Sequence, residues 1–289
     1  MAPKPKEESM RDFMVGNIAA GIVVVDGKAG TEAEFTFGEK LNISIGMSKA
    51  FDILYNLKGV AAAGLPRIPL LFVAKIDTVK LDLDPATVPA PSAAGALVRT
   101  SAEYERFEQV WRDPALTALG FSTGKPGIAQ YIQKLMTTSW AALPVAPDSA
   151  YVVFVTKYMA NWMAYADPAI ARLTMSYLWL ADQTPLNPDG TGGFRGTGAS
   201  GWGEANFHFV LAHETGHIFG APDEYAKSNC NTSATAGHLH IANSNCEVSN
   251  PASVDCLMKN NKETMCAATP GHWGWADFNG NGVLDVLEP

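Results

Sequence analysis

The sequence predicts an α/β chain of the α+β kind, a sheet with helices packed around it, followed by a loop-rich end. Three observations carry this. Apolar or alternating runs at 19–25, 68–83, 150–155 and 171–180 have the length and β-branched content of strands. Between and after them stand stretches whose apolar residues recur at helical spacing. All four cysteines, Cys230, Cys246, Cys256 and Cys266, fall in one window near the C-terminus, which predicts a locally stapled part.

Taken in order, residues 1–12 are rich in Lys, Pro, Glu and Ser and read as a flexible tail. "GIVVVDG", 21–27, reads as a strand closing on a turn-forming Asp-Gly, and "AEFTF", 33–37, alternates like a short strand. The stretch 38–58 predicts a helix, with Leu41, Ile45, Phe51 and Leu54 as its apolar positions. Residues 69–84 end in strict alternation at Val79, Leu81 and Leu83, as a half-buried strand does. Pro and Ala dominate 85–96, a surface loop. Helical spacing returns over 101–140, with Ser101 as an N-cap and Glu103 and Glu105 in the first turn. "AYVVFVTKY" and "ARLTMSYLWL" are two strong strands. Gly, Thr and Pro fill 181–203, a long loop, and no internal repeat is present.

Composition narrows the function classes. The chain has 289 residues, 47% hydrophobic, 10% aromatic and 17% charged, which suits one large globular domain or two small ones. A formal net charge of −8 and the lack of any dense Lys/Arg cluster argue against nucleic acid or an anionic membrane as partner. The apolar runs are too short to span a bilayer, and the N-terminus lacks a signal-peptide pattern. Two disulfides, with three connectivities open, are expected from the cysteines, because no C-x-x-C pair suggests structural zinc. They are the argument for a secreted or extracytoplasmic location.

The chemistry concentrates in "GEANFHFVLAHETGHIFG", 203–220, which reads as a helix burying Phe207, Val210, Leu211, Ile218 and Phe219 and ending at Gly220. At about 100° per residue, His213 and His217 lie one turn apart on one face, so two imidazoles can reach one cation. Glu214 stands about 100° around from His213, placed to hold a metal's water without being a ligand. The continuation H-E-x-x-H-x-x-G-x-x-D adds an oxygen donor, Asp223, after a turn that Gly220 permits. Two histidines and a carboxylate make the three protein ligands that a catalytic zinc needs beside water. Glu224, the next residue, could take the place of Asp223.

On His213, Glu214, His217 and Gly220 the chain resembles the metzincin clan of zinc metallopeptidases, and the Asp at 223, where most of the clan has His, is similar to the snapalysin-like bacterial peptidases. The resemblance covers about 203–289 firmly, and less specifically the strands ahead of the helix. It implies a twisted mixed sheet with flanking helices, an active-site helix and a supporting methionine turn. Met258 in "DCLMKNN" is the better match to that turn, and Met265 in "ETMCAAT" the runner-up. It further implies a metallopeptidase domain over 13–276, with its core at 141–276. A protein or peptide substrate would lie extended along an edge strand, pairing main chain to main chain. In the implied mechanism zinc polarises the scissile carbonyl, while Glu214 takes a proton from the attacking water and passes it to the leaving amine. Replacing a ligand histidine by Asp223 removes one unit of site charge and leaves more of the work to Glu214. Tyr225, His238, His240 and His272 are candidate further donors, whereas His208, five residues before His213, should point elsewhere.

A second cation signal ends the chain. In "DFNGNGVLDVLE", 277–288, Asp277, Asn279, Asn281, the Val283 carbonyl, Asp285 and Glu288 fill the ligand positions of an EF-hand calcium loop, with Gly282 at its sharp turn. The expected function is zinc-dependent endopeptidase, with Zn2+ catalytic and Ca2+ structural. Two alternatives remain open at this point, a catalytically silent metal-binding or adhesion module of the same fold and a non-peptidase zinc hydrolase. Retention of Glu214 favours an enzyme over the silent module, since a structural zinc has no use for that base.

Overall fold

The computed structural model describes residues 12–61, 65, 67–83, 101–143, 145–158, 164–178, 184–185, 194–195 and 203–288. The tail expected over 1–12 lies outside these residues except for Asp12, as do the loop at 85–96 and most of that at 181–203.

A mixed five-stranded sheet, in the order β2-β1-β3-β5-β4, forms the middle of the molecule. Its strands are β1 (Gly16–Asp26), β2 (Leu70–Lys80), β3 (Ser149–Tyr158), β4 (Ala164–Asp167) and β5 (Arg172–Leu178). Helix α1 (Phe37–Ala61) connects β1 to β2, and α2 (Ser101–Ala118) and α3 (Gly124–Thr137) lie between β2 and β3. Such helical crossovers return the chain in the same direction, and β1 pairs in parallel with both β2 and β3, as β3 does with β5. Only β4, the four-residue edge strand, runs antiparallel, against β5.

Both faces of the sheet are covered. Along β1, Ile18, Ala20, Ile22 and Val24 enter one core, while Ala19, Val23 and Val25 enter the other. Strand β3 divides likewise, Tyr151, Val153 and Val155 against Val152 and Phe154. A strand buried on both faces reads as an unbroken apolar run, as both of these do in the sequence. The first core is closed by α1 and by α4 (Gly203–Ile218), and the second by Trp111, Leu116, Ile128, Tyr131 and Leu135 of α2 and α3.

Three expectations are corrected. "AEFTF" is no strand, because Thr36 and Glu39 form a capping box that starts α1: the Glu39 N–H donates to Thr36 Oγ1 (3.2 Å) and the Thr36 N–H to Glu39 Oε2 (2.7 Å). The buried face of α1 is Ile43, Met47, Ala50, Ile53, Leu54 and Leu57, whereas Leu41 and Ile45 are 50% and 45% exposed. Both patterns have helical spacing, and only the packing against α4 selects between them. Of the two expected disulfides, one forms, Cys230–Cys246. Cys256 and Cys266 are buried thiols engaged in hydrogen bonds.

The remaining short elements are the pairs β6 (Thr184–Pro185) with β7 (Phe194–Arg195) and β8 (Thr235–Ala236) with β9 (Ile241–Ala242), and the helical turns α5 (Leu257–Asn260) and α6 (Thr269–His272). The segment 277–288 is anchored by Leu284, which is buried in the first core. No helix among the described residues is long and apolar enough to cross a membrane.

Candidate metal centre

Helix α4 packs on the sheet through Phe207, Val210, Leu211 and Ile218, the residues its periodicity marked, together with Phe219 just beyond it. It is tied to β3 by the Tyr151 and Thr215 hydroxyls, 3.1 Å apart in the core. Gly220 ends it at φ +88°, a conformation that L side chains rarely adopt. The chain then folds back, and the Ala221 N–H donates to Gly216 O at 3.1 Å.

That reversal fixes the first imidazole nitrogen. His217 Nδ1 lies 2.6 Å from Ala221 O and donates to it, while His213 Nδ1 lies 2.8 Å from Leu257 O, at the start of α5, and donates to that carbonyl. A carbonyl only accepts, so both rings carry their proton on Nδ1 and present the Nε2 lone pair. The two Nε2 atoms are 3.1 Å apart, and Asp223 Oδ1 is 3.1 Å from each. Three acceptors thus converge on one point, an arrangement that requires a proton or a cation between them.

Asp223 is held by its own backbone: Asn243 Nδ2 donates to Asp223 O at 2.9 Å. The Glu224 N–H donates to Met258 O at 3.0 Å, joining this segment to α5. Glu224 itself turns away and is fully buried, its Oε2 accepting from Asn245 Nδ2 (2.7 Å) and its Oε1 from the Thr269 hydroxyl (2.9 Å). Of the two carboxylates, only that of Asp223 meets the histidines.

Glu214 is buried beside this point, and its Oε2 has no hydrogen-bond partner. Burial pushes its carboxyl up, against the pull of His217 and His213. Burial would pull the His217 imidazole down, but the neighbouring Asp223 carboxylate more than reverses this and raises it to about 9. Burial would push the Asp223 carboxyl up, but the same two histidines together outweigh it and hold the group far below the usual carboxylate range.

Met258 is fully buried against α4: a Cβ at Gly216 would stand 2.7 Å from its Sδ. Trp273 closes the same side, its Nε1 donating to Gly216 O at 3.1 Å. Met265 is only half-buried and borders another cavity. Of the candidate further donors, Tyr225 is brought near, its ring 6.5 Å from that of His213. His238 pairs with Asp12 and Phe13, His240 is exposed, and the buried His272 contacts Ile241 O. His208 packs beside Phe209, away from the centre.

Several residues that shape this centre have no mark in the sequence. The Leu257 and Ala221 carbonyls act through the backbone, and Asn243, Asn245 and Thr215 are ordinary polar residues until the fold brings them in.

The calcium-type loop is closed on itself. Asp277 accepts from the N–H groups of Asn281 (3.1 Å) and Gly282 (2.9 Å), Asn279 Oδ1 from Asn281 N–H (3.0 Å), and Asn281 Oδ1 from Val283 N–H (2.9 Å). Asp285 accepts from the Phe278 N–H, and Glu288 from the side-chain amides of Asn279 and Asn281. Among the described residues, two sets of three His, Cys, Asp or Glu side chains bring their donor atoms within 4.8 Å of one another, the histidine centre and Glu224 with Cys256 and Cys266; Asp277, Asp285 and Glu288 do not converge in this way.

Comparison with known protein families, with curated proteins and with solved structures finds no match.

Proposed function

We propose that the protein is a zinc-dependent endopeptidase, with His213, His217 and Asp223 as ligands and Glu214 as general base. One observation carries this reading: three acceptor atoms 3.1 Å apart, the two imidazoles fixed by backbone carbonyls, stand beside a buried glutamate with an oxygen that has no partner. Two imidazoles and one carboxylate fit zinc in kind and number. A bound zinc supplies Lewis acidity to a peptide carbonyl and to the attacking water.

The remaining work falls to the chain itself. Glu214, raised by burial, accepts the proton of the attacking water and returns it to the leaving amine. The Leu257 and Ala221 carbonyls keep both imidazoles on one tautomer through the cycle. The edge strand β4 leaves one margin free among the described strands, where an extended peptide can add main-chain hydrogen bonds. Calcium at 277–288 and an extracytoplasmic setting belong to the same proposal, the latter supported by the Cys230–Cys246 disulfide.

The test compares bound zinc and casein cleavage in the parent and in Glu214→Gln. Zinc should stay equimolar, while cleavage falls by about 100- to 10,000-fold, the range general acid–base catalysis contributes. Equal cleavage by both would refute the role of Glu214, and a zinc-loaded parent that cleaves no protein would refute the peptidase reading.

A further inference from the structure

Glu224, one residue past Asp223, and Cys256, one residue before Leu257, meet Cys266 in a second buried cluster, with one donor atom of each within 4.8 Å of the others. Its hydrogen bonds are complete. Cys266 Sγ donates to Glu224 Oε1 at 3.1 Å, the Cys266 N–H donates to Cys256 Sγ at 3.3 Å, and the Thr269 hydroxyl lies 3.3 Å from both sulfurs. Cys266 also borders an apolar cavity of about 430 Å³, walled by Leu65, Ile241, Pro270 and Trp275 and open to solvent.

We propose that Cys256 and Cys266 are a reversible modification site, a dithiol that closes to a disulfide by exchange with a low-molecular-weight disulfide entering through this cavity. The thiolate of Cys266, the sulfur at the cavity, attacks one sulfur of the entering disulfide and expels one thiolate. Cys256 then attacks the Cys266 sulfur of the mixed disulfide and expels the second. The two protons leave on the expelled thiols, and the two electrons lost by the cysteines reduce the reagent. Donation from Cys266 lowers the Cys256 thiol, which suits the second attack. The contact with Cys256 and burial hold the Cys266 thiol up, so the first attack is the slow one.

A divalent metal fits the cluster less well. It offers three donors where a structural zinc is held by four, and Asn245 and Thr269 are already spent as donors to Glu224. A disulfide removes both ionisable thiols and leaves Glu224 its bonds from Asn245 and Thr269.

Closing the pair would also fix the segment next to the candidate centre. It pins Cys256, next to Leu257, whose carbonyl holds His213, and two residues from Met258, which fills the space beside Gly216. The inference does not rest on the peptidase reading, because it is read from thiols and melting.

The experiment equilibrates the full-length protein with reduced and oxidised glutathione over a range of ratios. The thiols are then trapped with N-ethylmaleimide in denaturant, and the peptides mapped by mass spectrometry. A cross-linked Cys256–Cys266 peptide is expected on the oxidised side and two alkylated cysteines on the reduced side, with Cys230–Cys246 unchanged. The oxidised form should melt roughly 3–6 °C higher. Cys256→Ser and Cys266→Ser should lose that redox-dependent shift, and the mapping of the parent decides the question alone if either variant fails to fold. Alkylation of both cysteines at every ratio would overturn the proposal, as would a lasting glutathione adduct on one of them. Thiols that react only after a chelator removes an additional equivalent of metal would overturn it in favour of a metal site.

Discussion

The segments 213–223 and 277–288 both space their donors as a cation requires, yet the fold treats them oppositely. At the first, each histidine spends its Nδ1 proton on a backbone carbonyl, and three acceptors then face one another across 3.1 Å with Glu214 buried beside them. At the second, every acidic or amide side chain is used within the loop, on exposed groups. Converging lone pairs are costly without a cation, whereas a loop that satisfies itself stands without one. A ligand pattern and a site poised for an ion are therefore separate things. The first needs only spacing; the second needs acceptors that no neighbouring donor already meets.

Removing a ligand from the buried centre should have the largest effect. His217→Ala should weaken zinc binding more than the roughly 10- to 100-fold typical of losing an outer partner, measured against a competing chelator. An unchanged affinity would mean that the three acceptors do not share one ion.

Support from behind the helix should matter next. Gly216→Ala places a methyl 2.7 Å from Met258 Sδ. Overpacking of this kind costs about 1–3 kcal/mol. The thermal midpoint should drop by several degrees, and zinc affinity should fall with it, because His217 is the next residue. A variant that melts like the parent would show that the Met258 side yields freely.

Proton competition separates the two segments further. Without metal, the His217 imidazole is raised to about 9, so a proton sits where a cation would. The folded value lies above the unfolded one, so this proton stabilises the metal-free protein fully below about pH 6.5, and the gain is lost as pH rises through about 9. Zinc affinity, measured by chelator competition, should therefore climb about tenfold per unit between these limits, one proton being released per ion. A flat profile would contradict the shared position of proton and metal.

Smallest of all should be the response of the C-terminal loop to calcium. Extracellular modules bind with dissociation constants of about 0.1–1 mM. At tenfold that concentration the midpoint should rise by only about 2–3 °C, and Glu288→Gln should abolish the rise. A shift as large as that caused by zinc would erase the contrast between a poised site and a self-satisfied loop.

The sequence made the fold legible where burial is symmetric. Strands β1 and β3 are apolar on both faces, and no alternation had to be interpreted. It misled where two helical stripes competed on α1, and where a capping box at Thr36 and Glu39 resembled strand alternation. His213, His217, Glu214 and Asp223 were visible through spacing along one helix and one turn. The choice between Asp223 and Glu224 was not, because it is made by Asn245 and Thr269, which capture Glu224 from 21 and 45 residues away. Cysteine clustering correctly announced a stapled part, but pairing depends on sulfur positions that spacing does not encode.

One pair of hydrogen bonds has a kinetic meaning. The Met14 N–H donates to Trp273 O and Trp275 Nε1 to Met14 O, across 259 and 261 residues, just ahead of strand β1. A ribosome adding about 5–20 residues per second needs about 13–52 s to cover that span. Throughout this interval the segment ahead of β1 lacks this tie, and Leu257, which orients His213, is among the late arrivals. The centre is therefore a product of the finished fold, and a nascent chain carries its histidines on a helix that nothing yet aims.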